Sequence, residues 1–144
     1  MFSKACEYGL KALVYIATQS AENKRVKIGD IAENTGTPVA FTAKILGTLT
    51  KHEFVDSLKG PYGGFEMTKK QRDEIKLSQV VNAIDGDSIY KACSMGMSEC
   101  SDENPCILHH KYVKVRNEIR KMLETTTISQ LAEKAKKDQI AIHI

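Results

Sequence analysis

Two short alternating runs, Phe54 to Lys59 and Phe65 to Met67, flank the turn Gly60-Pro61-Tyr62-Gly63-Gly64. Short runs of roughly alternating character around a glycine- and proline-rich turn predict a β-hairpin. What precedes the hairpin restricts the fold further. Ile28, Ile31 and Ala32 mark a short helix ending near Thr35-Gly36, and Thr37-Pro38 then supplies a cap and a first-turn proline for a second helix to about His52. Two short helices joined by a glycine-containing turn form a helix-turn-helix, and a hairpin directly behind it is a wing.

The rest of the chain reads as helical. Cys6, Leu10, Leu13 and Ala17 recur at helical spacing, predicting an amphipathic helix over residues 3–19. Thr68 to Glu74 reads as a charged linker, and Leu77, Val80, Val81 and Ile84 as a helix stopped by Asp85-Gly86-Asp87. Asn104-Pro105 predicts the start of a long helix to about Glu124. On it Leu108, Tyr112, Val115, Ile119 and Met122 form a heptad seam suited to pairing with a second copy. Thr127 and Gln130 form a capping-box signature for a last helix through Ala135, and residues 136–144 read as a loosely held tail. The fold class expected is mainly α with a small β-hairpin wing: a winged helix-turn-helix over residues 1–75, then a loop and dimerisation helices over 76–144 in one compact unit.

The second of the two short helices has two readable faces. Phe41, Ile45 and Leu49 should pack inward, while Ala40, Ala43, Lys44, Gly47 and Lys51 lie opposite. Small residues allow close approach and the lysines can meet phosphates, as in a helix entering a major groove; an ordinary solvated face would look similar. Lys59 and Tyr62 on the wing are candidate minor-groove contacts. Thr37 and Thr42 are candidate phosphate contacts. The expected partner is double-stranded DNA, although a net charge of +3 argues for it only mildly.

Chemistry concentrates elsewhere. Cys93, Cys100 and Cys106 lie within fourteen residues, and the chain has four cysteines in all. An odd cluster of thiols in a polar loop fits a disulfide framework poorly and soft-metal ligation well. The gaps of six and five residues are wide for structural zinc and suit a loop wrapped around an iron–sulfur cluster, with zinc and a metal-free thiol switch as alternatives. A helix opening at Asn104-Pro105 would put Cys106 in its first turn, where the positive dipole end favours a thiolate. His109, at i+3, would share its side and is a fourth-ligand candidate; His110 would point about 100° away. Cys6 reads as core. No catalytic triad, phosphate-cradling loop or paired carboxylates appear, so an enzyme with a small-molecule substrate is not expected. An electron-transfer protein is a further alternative, against which the wing argues. The longest early apolar run, Ala12 to Ala17, is too short for a membrane span or a leader, and a cytoplasmic location is expected.

Together these features resemble the Rrf family of bacterial winged-helix regulators, and within it the iron–sulfur members of the IscR and NsrR kinds. The resemblance runs from Ser3-Lys4 and Tyr8 through the wing Lys59 to Phe65, Leu77 to Gly86, the three cysteines and the long helix, to Thr126 to Leu131. It implies a homodimeric transcriptional repressor with crossed long helices and a cluster at the dimer interface, held by Cys93, Cys100 and Cys106. The first gap is one residue longer than the family's common pattern. IscR-like members would supply His109 as fourth ligand to a 2Fe-2S cluster. NsrR-like members would supply a carboxylate at the position of the partner's Glu7 to a 4Fe-4S cluster. Nitric oxide, oxygen, iron or cluster supply are the signals such a site would sense.

Overall fold

The computed structural model describes residues 1–99 and 101–138. Helix α1 (Lys4–Ser20) is the axis of the molecule, opening where the Ser3 hydroxyl accepts from the Cys6 amide. Cys6, Leu13, Ile16 and Ala17 on its inner face are fully buried. Helices α2 (Ile28–Thr35), α3 (Val39–Lys51), α5 (Leu77–Asp85) and α8 (Ile128–Lys137) all pack on it. Leu123, Ile128 and Ala132, from the far end of the chain, join the same apolar cluster as Leu13, Ile31, Leu46 and Leu49. Truncating one such leucine to alanine costs about 2–5 kcal/mol, so the C-terminal helix helps to hold the N-terminal one.

The α2–α3 turn is made by Gly36 at φ 64°, a left-handed conformation open to glycine, with its amide donating back to Glu33. The start of α3 differs from the expectation. Pro38 occupies the cap position with no side-chain cap bond, while Thr37 is buried and accepts a hydrogen bond from the Thr35 hydroxyl at 3.0 Å. The inner stripe of α3 is Thr42, Ile45, Leu46 and Leu49, and Phe41 is 57% exposed beside Tyr8, at 6.1 Å between rings. An i, i+4, i+8 series drifts about 40° at each step, whereas i, i+3, i+4, i+7 stays on one side.

Strands β1 (Asp56–Leu58) and β2 (Gly64–Glu66) pair antiparallel with Ser57 opposite Phe65. Phe65 also exchanges both backbone hydrogen bonds with Val26, at 2.7 and 3.1 Å, fixing the wing to the segment before α2. Gly64 makes that approach possible: its φ is +138° and an added Cβ would stand 2.7 Å from the Val26 carbonyl oxygen. An Arg25–Glu66 ion pair at 3.0 Å closes the same seam.

Residues 69–74 form a helix, α4 (Lys69–Glu74), where a linker was expected. The cause is a capping box: Thr68 N–H donates to Gln71 Oε1 at 2.8 Å, and Gln71 N–H to the Thr68 hydroxyl at 3.1 Å. The identical Thr127–Gln130 box opens α8, as its spacing predicts. A short helix α6 (Ser88–Lys91) was also not anticipated. The long helix α7 runs His109–Thr125, starting four residues later than Pro105 would place it. Ahead of it the Asn104 backbone N–H donates to Ser101 Oγ at 3.3 Å, and Leu108 takes the cap position with no side-chain cap bond. Helix α8 continues to Lys137, and residues 139–144 of the expected tail lie outside the described residues.

Candidate functional site

Helix α3 spans thirteen residues, about 20 Å, and turns an open face to solvent. Ala40, Ala43, Lys44, Gly47 and Lys51 are all exposed on it. Nothing lies within 4 Å of a Cβ added at Gly47. Val39 and Phe41, 59% and 57% exposed at the N-terminal end, extend this face with apolar surface. The inward pattern assumed for Phe41 hid that feature from the sequence. On the wing, Lys59 is exposed and Tyr62 is 90% exposed at the tip. Among the described residues Lys44, Lys51 and Lys59 have no acidic partner. Thr37 and Thr42 are corrections: both are buried, and the Thr42 hydroxyl donates to the Pro38 carbonyl at 3.0 Å. Neither hydroxyl is placed to meet a phosphate.

The second region is the loop between α6 and α7. Cys93 follows the last turn of α6, and Cys106 stands three residues before α7; both are half-buried. Helices α6 and α7 pack together, so the loop leaves and returns at one corner. Arg116 pins that corner by donating to the Ala92 carbonyl at 3.3 Å, and the Arg120 guanidinium lies 4.9 Å over the Tyr90 ring. Cys106 is not in the first turn of α7, so the helix dipole does not act on it as expected. Its carbonyl accepts from the His109 amide at 3.0 Å. Cys100 lies outside the described residues.

His109 is 4% exposed and its Nε2 stands 2.8 Å from Asp102 Oδ1. His110 meets His109 edge-on at 5.1 Å, although successive residues of a helix step about 100° around its axis. Two long imidazoles in a first helical turn can bring their nitrogens together even when their Cβ vectors diverge. Asp102, seven residues upstream in an aperiodic loop, carries no sequence signal for this contact.

The remaining candidates sit on α1. Glu7 bonds Lys4 at 2.9 Å, and that hydrogen bond holds its carboxyl below the usual carboxylate range. Cys6 is core, as its spacing indicates. Burial, and then the Asp85 carboxylate, pushes its thiol up to about 12, so it is a poor ligand. Asp85 also accepts from the Ser3 amide at 2.9 Å and from its hydroxyl, joining the start of α1 to the end of α5. By donor type, half-buried thiols at both ends of one loop are suited to soft-metal ligation, while the His109 imidazole lies with Asp102 and His110.

Comparisons with known proteins accord with this arrangement. A protein of Aquifex aeolicus that carries the name HTH-type transcriptional regulator is 34% identical over 133 residues, covering 91% of this chain and 90% of its own. The HTH-type transcriptional regulator IscR of Pectobacterium atrosepticum is 27% identical over 124 residues, covering 86% of this chain and 74% of its own. Among solved structures, IscR of T. potens superposes with a TM-score of 0.74 at 20% identity, covering 98% of this chain and 92% of that one. CymR, the global cysteine regulator of B. subtilis, superposes with a TM-score of 0.75 at 18% identity over 93% and 97%. These two show a shared winged-helix fold. Among the described residues no helix is long and apolar enough to cross a membrane. The family model described as Rrf2, iron-dependent transcriptional regulator, matches residues 2–134, and the chain belongs to that family of helix-turn-helix transcriptional regulators.

Proposed function

We propose that the protein is a homodimeric, cytoplasmic repressor that reads a partly palindromic DNA operator under the control of an iron–sulfur cluster on Cys93, Cys100 and Cys106. The observation that carries this reading is the cysteine corner. The loop bearing the thiols is tied at Ala92 to the middle of α7, and Val115 and Met122 on α7, with Leu108 at its cap, form an exposed seam. Such a seam suits pairing with a second copy. A change at the loop therefore reaches the element that would space two reading heads, and half-sites must stand about one helical turn, roughly 34–36 Å, apart.

His109 is the fourth ligand that this corner favours, which corresponds to a 2Fe-2S centre. It is buried, three residues past Cys106, and oriented by Asp102. The partner's Glu7, for a 4Fe-4S centre, is the second possibility; in each protomer that carboxylate is already held by Lys4. When bound, the cluster would supply a redox- and nitric-oxide-sensitive link between the loop ends. Ala40, Lys44, Gly47 and Lys51 would face the major groove with Val39 at the leading end, and Lys59 and Tyr62 would reach the flanking minor groove.

The half-exposed Cys93 and Cys106 thiols also suit a metal-free thiol–disulfide switch. Iron and acid-labile sulfide analysis of anaerobically isolated protein, alongside operator binding, separates the two. Bound iron and sulfide, and operator affinity that changes when they are removed, are expected. A colourless, iron-free protein that still responds to oxidant would replace this reading with the thiol switch.

A further inference from the structure

Among the described residues one group of ligand-type side chains converges. Asp102, His109 and His110 each place a donor atom within 4.8 Å of the other two, and neither Cys93 nor Cys106 joins that group among the described residues. The site has one buried wall, His109 at 4% exposed, and an open mouth formed by Asp102 and His110. Two imidazoles and one carboxylate suit borderline divalent transition ions; calcium and magnesium prefer oxygen-only shells. Three protein ligands leave a position for water, as zinc accepts in open sites.

Donors bound tetrahedrally at zinc–ligand distances of about 2.0–2.1 Å stand about 3.3 Å apart. The Asp102–His109 contact is 2.8 Å and must open by about half an ångström, while the His110 donor, within 4.8 Å of both, has to close in by up to about 1.5 Å. Asp102 has a 90% exposed side chain, so its own movement disturbs no packing.

We propose that Asp102, His109 and His110 form a mononuclear site for a divalent transition ion of the Zn(II) type, built without cysteine sulfur. The ion would clamp the cysteine loop, through Asp102, to the first turn of α7. The site does not depend on the thiols carrying an iron–sulfur cluster, although His109 can serve only one centre at a time.

The test uses tag-free full chain with Cys93, Cys100 and Cys106 all changed to serine, which removes every loop thiolate. Titration with Co(II) as a spectroscopic stand-in should show about one equivalent per protomer, with visible d–d bands, no sulfur-to-cobalt charge transfer, and displacement by Zn(II). Asp102→Ala and His110→Ala should each weaken binding at least about tenfold, since even outer-shell changes cost that much. Failure of the folded triple variant to bind Co(II) or Zn(II), or an affinity unchanged by Asp102→Ala, would overturn the site. If the triple variant does not fold, X-ray absorption of the Zn(II)-loaded parent decides. A first shell containing two imidazoles is expected, and a sulfur shell without histidine would refute it. Iron and sulfide content of the parent reports separately on the cluster, so the two ideas fail independently.

Discussion

Arg116, a buried charge on α7, reaches to the carbonyl of Ala92 at 3.3 Å and so fastens the residue before the first loop cysteine. Arg116→Ala removes a charge-assisted hydrogen bond and buried side-chain packing. Stability should fall by about 1–3 kcal/mol in urea unfolding. On the proposed cluster reading, operator affinity should also respond less to removal of iron and sulfide, because the loop no longer pulls on α7. An unchanged response would show that the signal leaves the loop by another route.

Lys44 and Lys59 lie on different elements, and each is a candidate for one phosphate or groove contact. Replacing either by alanine should weaken operator binding and reduce the slope of log affinity against log salt by about 0.9. The double variant should lose about twice that. Fluorescence anisotropy across a salt series measures it, and unchanged slopes would remove α3 and the wing from the interface.

Gly47 separates stability from recognition. Its Cβ position is open, so Gly47→Ala should stabilise the helix by about 0.5–1 kcal/mol. Operator affinity should nevertheless drop, since a glycine at the centre of an exposed helix face has no use inside the chain. A variant that is both more stable and equally tight would assign this face to solvent.

Cys6 predicts an alkaline weakness. Its ordinary value of 9.0 is raised to about 12 in the folded state by burial. The unfolded chain therefore loses the thiol proton first as pH rises. The stability from the neutral buried thiol is complete below about pH 9 and is lost between pH 9 and 12. Denaturant titrations of the parent should show that decline, and Cys6→Ala should flatten it. In reduced native protein Cys93 and Cys106 should react readily with a thiol reagent, leaving Cys6 protected until unfolding.

Local and periodic features were readable without coordinates. The paired glycines of the wing, the Thr127–Gln130 box and the apolar spacing of α1 each act over a few residues, and each formed as its local chemistry dictates. The clustering of three thiols was likewise plain. Tertiary structure decided the rest, because those outcomes depend on neighbours distant in sequence. Phe41 lies outward since the packing of α1 and α2 on α3 selects the Thr42 side. Thr37 and Thr42 are buried by the same packing. Cys106 falls short of α7, whose cap position is Leu108 and not Asn104, and His110 returns to His109 and Asp102 through a contact that no period encodes. Composition and spacing determine which groups are present. Which of them share a surface is set by how the helices bury their apolar sides.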